Sequence, residues 1–465
     1  MIIMIKNKIG GLKLKIINTI SCTHFGRMIV NASWLGFSMP LIIIAGLFKT
    51  ILLARLLGLA GLGMYGLIMS FTSILSLIFG FNSAEAAITY TNRAIENDNR
   101  REAAEIIRYC LFFDFFLSVI TYLVLVLVSE FFPGWFHLKE VARTALLVYG
   151  LSLMGNATNS VARGLLHACD CFKYDFFFNI SKSWVSLACV AAVYFAKGGI
   201  LSILAVESAL AAIFGIILIL LMFSVLHSQN IYFKLAQNRW WQVSRELWRY
   251  QILGYLRATV MGSHRHMGML LLGYLTSPTE VGAFHAAKKI TDPLRNSTMI
   301  FSQSLYPRYG KLWFSRESRE LKSLFKKSTF LFIGIAFGLL ILLGPLMGMI
   351  IRTLYGNSFA SSIISARILL VSASLLVITA PLTAFLPAIG RNAPHLMTAS
   401  VMVITQIVFL FILAPKYGAA GAAWAFLLAI LAGNLVLMPQ TLLTLRKGLK
   451  EWWYHQTPRA KATEI

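Results

Sequence analysis

Hydrophobic and polar residues in this chain do not alternate in the short periods of a soluble fold; they come in blocks. Twelve apolar runs, at about 31–54, 62–82, 109–129, 144–166, 183–198, 201–226, 252–275, 281–306, 328–351, 362–389, 396–414 and 418–443, approach or exceed the roughly 20 residues that cross a bilayer as a helix. Short polar or glycine-bearing turns separate them. The pattern predicts an all-α polytopic membrane protein with twelve transmembrane helices.

Composition agrees. The chain is 58% hydrophobic and 13% charged, against about 45–50% and 25% for soluble domains. A net charge of +24 would suggest nucleic acid if it were spread evenly, but it is not. With the N-terminus placed in the cytoplasm, 30 of the 42 Lys and Arg residues fall on the cytoplasmic side, six on the opposite side and six inside spans. That bias sets topology, so both termini are expected in the cytoplasm. The basic segments then read as contacts with anionic lipid rather than with nucleic acid.

Five segments follow from this pattern. Residues 1–30 form a basic amphipathic segment at the interface, 31–226 a first lobe, 227–251 a cytoplasmic linker, 252–443 a second lobe and 444–465 a cytoplasmic basic tail. Segments 227–251 and 307–327 read as interfacial helices; in the first of them Trp240, Trp241 and Trp248 stand among arginines. Gly63-Met64-Tyr65 and Gly282-Ala283-Phe284 lie 219 residues apart, as do Lys197-Gly198-Gly199 and Lys416-Tyr417-Gly418. Each pair opens the corresponding span of a half. The expectation is two six-helix lobes related by a pseudo-two-fold axis along the membrane normal.

Candidate chemistry gathers on spans 7 and 8, which carry His264, Arg265, His266, His285, Lys288, Lys289, Asp292 and Arg295. Charges at this depth normally face a protein interior or a wet cavity. His285, Lys288, Asp292 and Arg295 fall at i, i+3, i+7 and i+10, one face of a helix. His264 and Asp292 each lie fourteen residues from Pro278, about 20 Å along a helix. Lys49 reaches a similar level from the first lobe. Lys49, Arg265, Lys288, Lys289 and Arg295 are therefore read as an uncompensated cationic cavity suited to a diphosphate, which Arg forks and Lys ammoniums bind strongly. A self-neutralising Lys288–Asp292 pair is the competing account of those two residues. His264, His266 and Asp292 are candidates for proton or ion coupling. Pro40 and Pro293 read as helix kinks and, with Arg55, as gating or structural residues.

Glu85, Asp114, Glu207 and Arg367 lie nearer the ends of their spans and read as capping or packing charges. The five cysteines read as reduced and structural, and Cys169-Asp170-Cys171 lacks the spacing of a zinc knuckle. Neither a metal nor a cofactor is expected, nor catalytic residues.

The stretch ARLLGLAGLGMYG at 54–66, with SPTEVGAF at 277–284 and YGAAGAAWA at 417–425, resembles three signatures of one family. This is the polysaccharide flippase branch of the multidrug/oligosaccharidyl-lipid/polysaccharide (MOP) exporter superfamily. Leu59, Ala60 and Leu62 depart from the first signature, and Thr279 from the second. The resemblance implies a MATE-like fold in the bacterial inner membrane. It also implies a cargo of undecaprenyl-pyrophosphate-linked oligosaccharide, an O-antigen or exopolysaccharide repeat unit, with a polysaccharide polymerase or other assembly proteins as partners. Two rivals remain. A cation-coupled multidrug antiporter of the same superfamily would want acids at the cavity centre. A membrane-embedded polysaccharide polymerase would want a structured outer loop with acid–base groups, and the outer loops here are short.

Overall fold

The computed structural model describes residues 24–80, 83–169, 171–228, 231, 245–391 and 393–456. Most of the expected interfacial N-terminal segment, Cys22, the greater part of the 227–251 linker and the end of the basic tail lie outside the described residues.

The described chain is helical and contains no strand. In order, the helices are α1 (His24–Phe79), α2 (Ala84–Glu96), α3 (Arg100–Val128), α4 (Phe132–Trp135), α5 (Val141–Gly150), α6 (Ser152–Asn156), α7 (Asn159–Ala168), α8 (Phe172–Phe195) and α9 (Ile200–Ser228). They continue with α10 (Arg245–Leu275), α11 (Pro278–Phe314), α12 (Ser318–Tyr355), α13 (Ser362–Ile378), α14 (Ala380–Ala388) and α15 (Ala393–Gln456). Among the described residues six helices are long and apolar enough to cross a membrane, and a seventh span results if α13 and α14, bent by 41°, act as one. By length and composition alone this measure does not reach twelve. Helices α10 and α11 are long enough, at 31 and 37 residues, but carry the polar cluster.

Helices α1 and α15 run for 56 and 64 residues. An unbroken helix of 56 residues would extend about 84 Å, against a hydrocarbon core of about 30 Å. Each breaks at a glycine in the left-handed region, Gly58 (φ 66°) and Gly418 (φ 53°), where a Cβ would be strained. The arms then fold back. Lys49 and Tyr65, on opposite arms of α1, both reach the carboxylate of Glu207. A Cβ on Gly433 would strike Met402 and Thr398 on the other arm of α15. The breaks keep the sequence offset: Gly58 plus 219 is Ser277, the N-cap of α11, and Gly199 plus 219 is Gly418.

The largest buried cluster joins both halves, placing Leu62, Tyr65 and Leu67 with Val281, Phe284, Leu369 and Ala422. Away from it the packing divides. One cluster (Ile107, Val161, Leu165, Leu218) belongs to the first half alone, and another (Tyr309, Leu321, Phe385, Leu445) to the second. At the shared end the halves cross backbone to backbone. A Cβ on Gly63 would sit 1.8 Å from the Pro278 carbonyl oxygen, and one on Gly282 would sit 1.9 Å from that of Leu59. Gly63–Pro278 and Gly282–Leu59 exchange under the offset of 219, the reciprocal pattern a two-fold contact requires.

The chain runs helically through Pro40 and Pro293, and the non-helical break in α1 falls at Gly58. One local expectation changes. Residues 307–327 are not a separate interfacial helix. Helix α11 continues to Phe314 and α12 starts at Ser318, because Tyr309 is fully buried among Phe325 and Phe385, its hydroxyl 2.9 Å from Ser328 Oγ.

Candidate functional site

The 54–66 stretch builds the shared end residue by residue. Gly58 turns the chain, and Gly63 admits α11. Arg55 donates from Nε and Nη2 to the carbonyls of Leu354 and Thr353, at 3.0 and 2.9 Å, satisfying the last turn of α12 and complementing its dipole. Tyr65 donates to both oxygens of Glu207, at 2.9 and 3.2 Å. Gly66 leaves room for His285, whose Nδ1 would lie 2.6 Å from a Cβ there. His285 stacks parallel to Tyr65.

Beyond that crossing, where the cores divide, a cavity of about 440 Å³ opens between the second arm of α1, helices α3 and α5 to α7, and α10. It falls within the size range of ligand sites, about 300–1,000 Å³. Its walls carry the hydroxyls of Thr72, Ser73, Ser76, Ser160 and Thr259 and the amide of Asn156. Its charged or titratable lining is Asp114, Tyr149, Arg265 and His266.

Of the five expected binding cations, only Arg265 lines this cavity. No carboxylate lies within 4.0 Å of it among the described residues. Lys49 is not free: its Nζ is 2.7 Å from Glu207 Oε1, and the two side chains are 21% and 8% exposed. Arg295 is matched by Asp292 at 3.0 Å, an i,i+3 pair, so the Lys288–Asp292 pairing is not the one that forms. Lys288 donates to the Arg265 carbonyl at 2.6 Å, which ties α11 to α10. Lys288, Asp292 and Arg295 border a separate void of about 10 Å³ beside Leu369, Ala373 and Phe426, room for about one water. Lys289 is exposed.

The single polar stripe expected on α11 is therefore split between surroundings. His285 faces the first half, and the Asp292–Arg295 pair faces α13 and α15. Of the coupling candidates, His266 lines the cavity, Asp292 is taken by Arg295, and His264 stacks on Phe426 with its Nδ1 buried and without a hydrogen-bond partner.

A family model described as polysaccharide biosynthesis protein matches residues 52–364, two-thirds of the chain. This chain belongs to the polysaccharide biosynthesis protein family. No curated protein sequence matches it. Its fold is that of the MOP superfamily. A multidrug resistance MATE family transporter in an inward-facing conformation is 15% identical over 88% of this chain and 96% of that one, with a TM-score of 0.70. The lipid II flippase MurJ, inward closed, is 17% identical over 92% of each chain, with a TM-score of 0.66. A MOP superfamily transporter from Pyrococcus furiosus is 14% identical over 91% of this chain and 96% of that one, with a TM-score of 0.65.

This polysaccharide biosynthesis protein also uses residues that sequence reasoning passed over. Glu207, taken for a boundary charge, is the counter-ion of Lys49. Asp114, read as a capping or packing charge, is buried on the cavity wall. The hydroxyl-rich wall left a trace in the apolar run 67–79, where Ser70, Thr72, Ser73 and Ser76 recur at helical spacing. Lys182, not singled out above, lies inside α8 and donates to Asn156 Oδ1 at 3.1 Å.

Proposed function

We propose that this member of the family is a carrier, not an enzyme, and that it flips a lipid-linked oligosaccharide bearing a diphosphate across the bacterial inner membrane. The undecaprenyl-pyrophosphate-linked repeat unit implied by the family resemblance is the cargo that fits this reading. It includes twelve crossings, lobes at 31–226 and 252–443, and both termini in the cytoplasm. The observation that carries it is the hydroxyl-lined cavity of about 440 Å³ with Arg265 on its wall. Hydroxyl and amide groups suit sugar hydroxyls, and a guanidinium without a carboxylate suits phosphate oxygens. Lys288 and Lys289 supply further positive charge near Arg265. Lys49 and Arg295 take part only where their acids release them.

The test is Arg265→Ala in a flippase-deficient strain. The expected outcome is loss of complementation with membrane insertion intact, while Arg265→Lys restores part of it. Full complementation by the alanine variant removes the diphosphate reading. The antiporter reading draws on Asp114, an acid on the same cavity. Purified protein in liposomes that exchanges organic cations and ignores lipid-linked sugar would favour it.

A further inference from the structure

Three other buried or half-buried acids on the long helices have a cation at hand. Glu207 pairs with Lys49, Asp292 with Arg295, and Asp175 with Arg163 and His167. Asp114 on α3 differs. It is 6% exposed, and among the described residues no Lys, Arg or His comes within 4.0 Å of it. Its partners are neutral. Ser83 Oγ donates to Oδ1 at 2.7 Å, Ser160 Oγ to Oδ2 at 2.9 Å, and the Ser83 N–H to Oδ2 at 3.4 Å. Behind Ser83 stands Gln251 of α10, 4% exposed, whose Nε2 donates to Ser83 Oγ at 3.1 Å. The other end of that amide, Oε1, is buried and has no hydrogen-bond partner among the described residues.

Two deficits therefore meet at one place. Hydroxyl dipoles stabilise a carboxylate but leave its charge uncancelled, and an uncancelled charge at membrane depth is costly. A buried acceptor without a donor costs about 1–3 kcal/mol. A small cation held by oxygen would satisfy both. The donor set is Asp114, the two serine hydroxyls and Gln251 Oε1. It contains oxygen alone, the preference of hard cations, and lacks the nitrogen or sulfur that transition metals favour. One formal negative charge balances a monovalent ion and leaves a divalent one in excess.

We propose that Asp114, Ser83, Ser160 and Gln251 form a binding site for a monovalent cation, for which sodium is the probe. Binding needs only rotation of two hydroxyls and a turn of the Gln251 amide that brings Oε1 beside Ser83. Asp114 and Ser160 line the cavity, so the site is reached from it. Gln251 precedes Arg265 by fourteen residues on α10, about 21 Å along the helix, so the amide lies well away from the guanidinium. Three of the ligands belong to the first half of the chain and Gln251 to the second. A bound ion therefore ties the halves together where their cores have separated. The inference does not rest on the diphosphate reading.

The test is thermal unfolding of the purified full-length protein in sodium, potassium or choline chloride at matched ionic strength, together with radiolabelled sodium binding. Sodium is expected to raise the melting midpoint saturably and choline to leave it unchanged, with one sodium bound per chain. Asp114→Asn is expected to abolish the response, and Gln251→Leu, which leaves the carboxylate in place, to weaken apparent sodium affinity at least tenfold. Arg265→Ala keeps the sodium response while losing transport, which separates the two readings. Equal midpoints in sodium and choline, or an undiminished sodium response in the folded Gln251→Leu protein, would overturn the site.

Discussion

The second arm of α1 touches the other half of the chain in two ways. Near Gly58 it meets α11 backbone to backbone, at Gly63 and Gly282, inside an apolar cluster shared by both halves. Further along, it and the turn that follows it meet α10 through side chains. Thr259 donates to the Leu77 carbonyl at 3.0 Å, Tyr255 donates to that of Ile78, and Gln251 donates to Ser83. These three α10 residues fall at i, i+4 and i+8, one face of the helix. The dry crossing regains nothing when it parts, because close packing has no substitute in water. The polar seam borders a cavity, and each of its bonds nets only about 0.5–1.5 kcal/mol because water can replace it. The halves are held firmly at one end and exchangeably at the other.

The strongest challenge to that contrast is Gly63→Ala. Its Cβ would lie 1.8 Å from the Pro278 carbonyl oxygen, and main chain cannot step aside as a side chain can. We expect a loss of about 3 kcal/mol or more, read as a collapse in melting midpoint and in the yield of monodisperse protein. Gly282→Ala should match it. A wild-type melt for either would mean the crossing is looser than described.

Gly66→Ala should cost less, about 2 kcal/mol, because it meets the ring of His285 rather than main chain. His285→Ala alone leaves a hole beside Tyr65. The double variant should recover part of the loss, and a mutant cycle with no coupling would deny that the two residues share a space. On the seam, Thr259→Val and Tyr255→Phe should each cost about 1 kcal/mol in the same melts. Values as large as that of Gly63→Ala would erase the difference between the ends. Arg55→Ala removes two exposed hydrogen bonds to α12 and should cost least, about 0.5 kcal/mol.

Much of the fold was legible before any coordinates. The glycine turn at Gly58 and the offset of 219 rest on local rules, and they locate the helix breaks at Gly58, Ser277, Gly199 and Gly418. The candidate site was legible in part. Arg265 and His266 were named and do line the cavity. Lys49 and Arg295 were named as uncompensated cations, and each has its own acid. Depth along a helix follows from counting residues, and depth was the basis of that reading. The direction a side chain faces around the helix axis does not follow from counting in a span apolar on every side. Glu207 lies 158 residues from Lys49, and only the packing of α9 against α1 brings them together. What surrounds Asp114 was hidden for the same reason, since its surroundings are set by Ser83, Ser160 and Gln251 on three other parts of the chain.

Hydropathy and glycine placement thus pointed by themselves to a polytopic helical membrane protein built from a repeated half. Each of these is a property of a segment in contact with lipid or water, whatever its neighbours. The tertiary structure alone decided which charges are cancelled, which hydroxyls share a cavity and which acid is left without a cation. Those outcomes depend on how helices rotate and cross, and a charge is compensated only by what comes within a few ångströms of it.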